Sequence, residues 1–329
     1  MAIKFASRPF IIVAAAGAMA LGMGGYFWKE ENRPKVLDIY IFNLSSGRSM
    51  FIRTPDDYRV LIDGGSNPDV IQELTKILPF YSRRIDAIIA TNTDGKNVAG
   101  LIDVLDRYEV DDVYLPAVTL QSLGLVSASD PTYESLLQEI ESQQAIARTI
   151  ARGNIILLGD EVRADVHFPS KPESFAYSLA SSPEVLFTLR YDNTSVTFLG
   201  NASHKVQEFL ASTSAVSAKS SDSAASSTTS TNVIQTDAAI VSNSALPANI
   251  SANLMSQLVP KYFIYSRQPQ SSSSGGPSLP KSTPSKTSKK KPAKIPPDPF
   301  ALIPIDHRFN IKETGTIHLV SDGESLVVR

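Results

Sequence analysis

The sequence predicts an α/β fold in one domain behind an N-terminal transmembrane segment. Three observations carry that expectation. Residues 10–28 form an uninterrupted apolar run. Downstream of Lys35, stretches of strand-like composition alternate with helical apolar stripes. In the third, an apolar run from Ile85 to Ala90 breaks into the polar turn Thr91-Asn-Thr-Asp-Gly-Lys-Asn97 before a helix restarts at Val98. A turn in that position is where an α/β fold presents chemistry, at the carboxyl end of a strand.

The N-terminal run is just long enough to span a bilayer core at about 1.5 Å per helical residue. Lys4 and Arg8 precede it, and Tyr26-Phe-Trp28 closes it as an interfacial aromatic belt would. The flank Lys29-Glu-Glu-Asn-Arg33 has cancelling charges, so the positive-inside bias places residues 1–9 in the cytoplasm and the rest of the chain outside. The rival reading is a cleaved signal peptide and a secreted product, since Ala18-Met-Ala20 has the A-x-A form.

Lys35 to Ile52 and Tyr58 to Ile62 read as two strands joined by the turn Thr54-Pro-Asp-Asp. Pro68 to Leu78 carries a helical stripe of Val70, Ile71, Leu74 and Leu78. The strand Ile85–Ala90, the polar turn and a helix through Tyr108 follow, then a short strand at Val113-Tyr-Leu. Pro131 to Arg152 reads as a long amphipathic helix stopped by Gly153. Asn154–Leu158, Val162–Phe168, Val185–Arg190 and Ser195–Leu199 are β-rich, with turns at Gly159-Asp160 and Asp192-Asn193. Ala238–Val241 and Tyr262–Tyr265 look like buried strands flanking a helix, and the chain closes in a hairpin around Asp322-Gly323. Two inserts, residues 212–231 (Ser, Ala, Thr) and 268–297 (Ser, Pro, Lys), are too polar to offset their ordering entropy and are expected to be disordered loops within the single domain 35–329.

Composition narrows the chemistry. With no cysteine, disulfides, thiolate metal sites and cysteine nucleophiles are excluded. The four histidines, His167, His204, His307 and His318, show no metal-ligand spacing. A net charge of −2 gives no global sign of nucleic-acid binding.

Taken in order, the motifs resemble the metallo-β-lactamase superfamily, and within it the metallo-β-lactamase-like domain of ComEC-type DNA-uptake proteins. Phe42-Asn-Leu-Ser-Ser-Gly-Arg-Ser49 stands where that family has F-L-D-V-G-Q-G-D-S, and Leu61-Ile-Asp-Gly-Gly65 matches its L-I-D-G-G. Thr91 to Leu101 aligns with T-H-x-H-x-D-H-x-x-G-L, Phe198-Leu-Gly-Asn201 with F-L-x-x-G-D, Ser242-Asn-Ser244 with the H-H-G-S turn, and Lys312 to Ile317 with a closing T-x-x-x-G-T-I. The resemblance implies a four-layer αββα sandwich with a two-metal hydrolytic site. At the ligand positions, however, stand Asn92, Asp94, Lys96, Asn97, Asn201 and Asn243. Neutral amides are poor zinc ligands, and a lysine repels a dication.

The expectation is therefore a membrane-anchored pseudoenzyme with no metal and no cofactor, acting as a binding or scaffold module, with a link to DNA uptake by family analogy alone. The alternative is a working hydrolase of phosphodiesters or other esters, using zinc or magnesium in a rearranged site. Asp63 and Asp94 could form a residual acid pair; equally, Asp63 could cap the turn before the Pro68 helix while Asp94 pairs with Lys96. An oxygen site for Mg²⁺ or Ca²⁺ from Asn92, Asp94, Asn97 and Asn201 is a further option that Lys96 opposes. His204 lies just after the Gly200-Asn201 turn and reads as a surface residue. The stretch Lys281-Ser-Thr-Pro-Ser-Lys-Thr-Ser-Lys-Lys-Lys-Pro-Ala-Lys294 could contact nucleic acid, anionic lipid or an acidic wall polymer, although it lacks aromatics for base stacking and also suits a solvated tether.

Overall fold

Side-chain alternation along short strands builds the architecture. The computed structural model describes residues 34–117, 130–170, 184–220, 236–241, 249–267 and 300–329. In β1 (Leu37–Ile41), Leu37, Ile39 and Ile41 are buried on one face while Asp38 and Tyr40 take the other. β2 (Met50–Arg53) and β3 (Arg59–Ile62) continue antiparallel. Helix α1 (Asp69–Ile77) crosses to β4 (Arg84–Ile89), and α2 (Gly95–Arg107) crosses to β5 (Glu109–Pro116), both strands parallel to β3. Helix α3 (Pro131–Ser142) leads to β6 (Ile146–Ile150), parallel to β5.

The second sheet begins with β7 (Ile155–Leu158), β8 (Val162–Phe168), β9 (Leu186–Tyr191) and β10 (Thr194–Gly200), all antiparallel. Helices α4 (His204–Ser220) and α5 (Ala252–Leu258) then connect β10 to β11 (Ala238–Val241) and β11 to β12 (Tyr262–Tyr265) in parallel. β13 (Arg308–Asn310) pairs parallel to β12, and a single turn, α6 (Ile311–Thr314), returns the chain to the first sheet. There β14 (Ile317–Ser321) pairs with β1, and β15 (Leu326–Val328) closes the edge. The strand orders are β15-β14-β1-β2-β3-β4-β5-β6 and β13-β12-β11-β10-β9-β8-β7.

Three apolar clusters show how these layers stack. Ile39, Ile52, Val60 and Ile89 meet Phe187, Leu189, Val196 and Phe198 between the sheets. Leu61 and Ile88, on the opposite face of the first sheet, bury Leu74, Leu101 and Leu136 of its helices. Leu199, Ala239 and Phe263 do the same for Val206, Leu210 and Leu254 on the second sheet. Each of these Val, Leu, Ile and Phe side chains contributes about 1.5–3 kcal/mol relative to exposure. The result is the expected α/β sandwich with helices on both outer faces. Gly64 and Gly100 set how closely α2 approaches β3: a Cβ on Gly100 would lie 2.0 Å from the Gly64 carbonyl oxygen.

Several boundaries differ from the sequence expectation. The stretch Lys35–Ile52 is two strands, because Phe42 to Ser49 loops over the sheet end with Gly47 at φ 76°. The expected helix 131–152 stops at Ser142; Gln144 takes φ 59°, and Ile146–Ile150 leaves as strand β6. β6 is an edge strand with four exposed residues, so its pattern carries no strand-like burial signal. Helix α2 starts at Gly95 rather than Val98, since Asp94 caps it. Helix α4 runs into the Ser/Ala/Thr stretch as far as Ser220. The rest of that insert, residues 1–9, the apolar run 10–28, residues 268–297 with the Lys281–Lys294 stretch, and Asn243 lie outside the described residues. Among the described residues no helix is long and apolar enough to cross a membrane.

Candidate functional site

The parallel strands of both sheets end at one face of the sandwich. Asp63 follows β3, Thr91 and Asn92 follow β4, and Asn201 follows β10. Glu184 precedes β9, and Arg48 sits on the β1–β2 loop. The fold therefore converges six polar residues from five places in the chain.

Arg48 is the hub. Its Nε donates to Asp63 Oδ2 at 2.6 Å, and its Nη2 donates to Thr91 Oγ1 and to Glu184 Oε1. Asp63 also accepts the Thr91 N–H at 2.8 Å and the Thr91 hydroxyl at 2.6 Å. Glu184 accepts Asn92 Nδ2 at 3.0 Å and the Asn201 N–H at 3.2 Å. The Phe198 ring lies under the guanidinium, 5.3 Å from Cζ to centroid, adding a cation–π contact. Asp63 reaches this position in the left-handed region, φ 56°, with its N–H bonded to the Ile89 carbonyl at 3.0 Å. A carboxylate-bearing residue tolerates that conformation better than a branched one.

The site is nearly dry. Asp63 is 0% and Glu184 6% exposed. Burial alone would lower the guanidinium pKa of Arg48, but the charges of Glu184 and Asp63 and their hydrogen bonds raise it. Burial pushes the Glu184 carboxyl above its ordinary range, with Arg48 opposing. Two carboxylates thus share one cation, in a setting where charges must be paired and hydrogen-bonded to remain.

Of the other sequence-predicted positions, Asn92 and Asn97 brace the cluster. Asn92 Oδ1 accepts the Asp94 N–H at 3.1 Å and Asn97 Nδ2 at 3.2 Å, while the Asn97 carbonyl accepts the Gly64 N–H at 2.7 Å. Asp94 is exposed and caps α2 by accepting the Lys96 N–H at 3.0 Å. Asp63 is accordingly neither a helix cap nor half of an acid pair with Asp94: its acidic neighbour across the guanidinium is Glu184. Lys96 is exposed at the first turn of α2. Asn201 is exposed and contributes its backbone N–H. Sequence reasoning placed Arg48 and Thr91 only in aligned motifs and missed Glu184 altogether. A lone acid before an apolar strand gives no signal of what it meets 136 residues earlier.

Beside the cluster lies a small cleft of about 20 Å³, bounded by Leu44, Arg48, Ser49, Phe198, Ile311 and Lys312. Lys312 Nζ donates to the Leu44 carbonyl, and burial lowers its pKa against the pull of Asp69.

The histidines stand elsewhere. His167 Nε2 is 2.8 Å from Thr188 Oγ1, and burial holds its pKa down at about 4. His318 pairs with Asp38 at 2.8 Å and stacks on Tyr40, ring centroids 4.1 Å apart. His204 is surface-exposed, 3.9 Å from Glu208. Among the described residues no group of three or more His, Cys, Asp or Glu is arranged to hold a metal ion. The zinc centre implied by the resemblance does not fit these residues. The buried carboxylates are bridged by a tethered cation, and the next donors are amides, weak ligands for zinc.

The sequence matches no protein-family model and no curated protein sequence. Solved structures similar to the chain include zinc-bound PqqB from Methylobacterium extorquens, at 14% identity and a TM-score of 0.35, over 66% of this chain and 61% of that one. Another is MEM-A1, a subclass B3 metallo-β-lactamase isolated from a soil metagenome library, at 12% identity and a TM-score of 0.37, over 62% and 75%. A third is a variant of CmlA β-hydroxylase, at 13% identity and a TM-score of 0.44, over 71% and 46%. The neighbours are metallo-β-lactamase-fold proteins at low sequence identity. Likenesses at this level transfer neither activity nor metal.

Proposed function

We propose that this chain is a metallo-β-lactamase-fold protein in which an internal guanidinium holds the place of a catalytic metal, and that it works as a binding or scaffold module. One observation supports this above the others: Arg48 bridges Asp63 and Glu184 at the carboxyl ends of the strands. A hydrolase of this fold needs a metal to lower the pKa of its attacking water. Arg48 cannot do that, because a guanidinium has no open coordination position and binds both acids as a donor. The crevice then serves as a rigid joint between the two sheets, leaving binding to surfaces around it.

In this reading residues 10–28 anchor the chain in a membrane, with the folded part outside the cytoplasm. A partner connected with DNA uptake rests on the motif resemblance alone. The test is elemental analysis of the purified full chain after dialysis against trace zinc, manganese and magnesium, beside a phosphodiester hydrolysis assay. Less than a tenth of an equivalent of metal per chain and no turnover are expected (roughly background for a protein with no built site). About two equivalents together with hydrolysis would replace this reading with the active-hydrolase one.

A further inference from the structure

The two sheets leave four edge strands among the described residues, and three of them are guarded. β15 is three residues long and is followed at once by Arg329. β13 is equally short, and its Arg308 ties the preceding loop to it by donating to the Ile303 and Phe300 carbonyls at 2.9 and 2.7 Å. β6 carries Arg148, paired with Asp112 at 2.8 Å. Short length, edge charges and a covering loop are the usual means of stopping one sheet from adding to another. β7 is longer than β13 or β15 and reads Ile155-Ile-Leu-Leu158, with neither a charge nor a proline.

The register of β7 shows what it offers. Ile156 and Leu158 are buried between the sheets, whereas Ile155 is 60% and Leu157 68% exposed on the outer face. The Asn154 carbonyl accepts the Val166 N–H at 3.0 Å, and pairing continues as Ile156 with Ala164 and Leu158 with Val162. Ladder bonds in an antiparallel pair fall on alternate residues. Residues 154, 156 and 158 therefore face β8, and Ile155 and Leu157 direct their N–H and C=O groups to the free edge. The same two residues present both the exposed aliphatic side chains and the strand's outward donors and acceptors. Exposed aliphatic residues taken singly need no explanation, but two on one bare edge are a template for another strand.

We infer that a second copy of this chain pairs with that edge, β7 against β7, antiparallel about a two-fold axis at Ile156. The arrangement is self-complementary. It sets Ile155 of each protomer opposite the partner's Leu157 on one continuous face, and gives the outward N–H and C=O groups of both residues partners. A two-fold that kept the strands parallel would turn the partner's aliphatic pair to the opposite face. Charge agrees with the antiparallel choice. On β8, Asp165 lies across from Ile155 and Arg163 across from Leu157. Each cross-strand row therefore ends in Asp165 of one protomer and Arg163 of the other. The contact is small beside the roughly 1,200–2,000 Å² of stable interfaces, so the dimer is weak and concentration-dependent. All of these residues belong to the unit Leu37–Arg329, and the inference stands whether or not residues 10–28 anchor the chain.

Sedimentation equilibrium of the full chain in a density-matched non-ionic detergent reads the association. A concentration-dependent dimer is expected. Leu157→Lys puts a charge on the bare edge and should weaken it at least about tenfold, while Val327→Lys, on the β15 edge, should leave it unchanged. The chain contains no cysteine, so introduced thiols report the register cleanly. Ile155→Cys chains mixed with Leu157→Cys chains should crosslink under mild oxidation, because opposed Cα atoms lie about 5.5 Å apart. Ile155→Cys chains alone should not, since the two copies of that position are roughly 8 Å apart, beyond disulfide reach. A monomer at every concentration overturns the pair and leaves the edge to a strand of another protein. A dimer indifferent to Leu157→Lys is built elsewhere and also overturns it. Crosslinking of Ile155→Cys alone as readily as the mixture overturns the two-fold register. Species larger than a dimer that Leu157→Lys dissolves would make the edge part of an open chain of copies, and overturn the closed pair.

Discussion

Replacing Arg48 by methionine keeps most of the aliphatic stem and removes the guanidinium from a nearly dry site. Among the described residues Asp63 would then keep the Thr91 donors, and Glu184 would keep Asn92 and the Asn201 N–H. Removing one partner of a buried ion pair costs about 3–5 kcal/mol, because the other charge stays behind without compensation. Protonation offers partial relief. Burial already raises the Glu184 carboxyl above its ordinary value of 4.5, and losing Arg48 raises it further. A carboxyl group shifted upward holds its proton more tightly folded than unfolded. Its contribution is therefore fully present below pH 4.5 and is lost as the pH rises through the folded pKa. The deficit of Arg48→Met should be smallest near pH 5 and reach roughly 3–5 kcal/mol by about pH 8. Urea unfolding of the segment from Lys35 onward, followed by circular dichroism across that range, measures it. Adding Glu184→Gln to Arg48→Met removes one stranded charge and should recover about half of the loss at high pH. A deficit under about 1 kcal/mol, or one that does not change with pH, would refute the view that the cluster is a buried, mutually dependent ion pair.

Two further outcomes test other parts of the structure. Burial holds His167 at a pKa of about 4 against an ordinary 6.5, so the unfolded chain takes up this proton first. Stability should fall as the pH drops from 6.5 towards 4, by up to about 3 kcal/mol, and His167→Gln should flatten that acid limb in the same unfolding series. Gly100→Ala would set a Cβ 2.0 Å from the Gly64 carbonyl oxygen and 2.8 Å from that of Asn67. Both obstacles are backbone, so a loss of at least about 2 kcal/mol is expected, read as a lower urea midpoint at unchanged slope.

How legible the molecule was depended on whether the information was local. The strands and crossover helices from Tyr58 to Tyr108 were plain because apolar periodicity and a proline at a helix start agree there. β6 was not plain. An edge strand that buries one residue in five has no reason to alternate, and in isolation Ala145 to Arg152 continues the preceding helix pattern. The turn after β4 was found as a site because its polar residues interrupt a buried strand. What fills that site could not be found the same way. Arg48, Thr91 and Glu184 are brought together by the pairing of two sheets, and nothing near any one of them announces the other two. Asp63 was singled out for its motif, yet its role is set by a guanidinium 15 residues upstream. Lys96 looked like the cation that would oppose a metal, whereas it is exposed and the cation between the two carboxylates is the largely buried Arg48.

The measurement that reaches the central claim most directly is a crystal structure grown with zinc present and recorded at the zinc absorption edge. The expected result is the Arg48 guanidinium between Asp63 and Glu184, with no anomalous peak in the crevice. A zinc peak bound by Asp63 or Glu184, with Arg48 swung out, would contradict it.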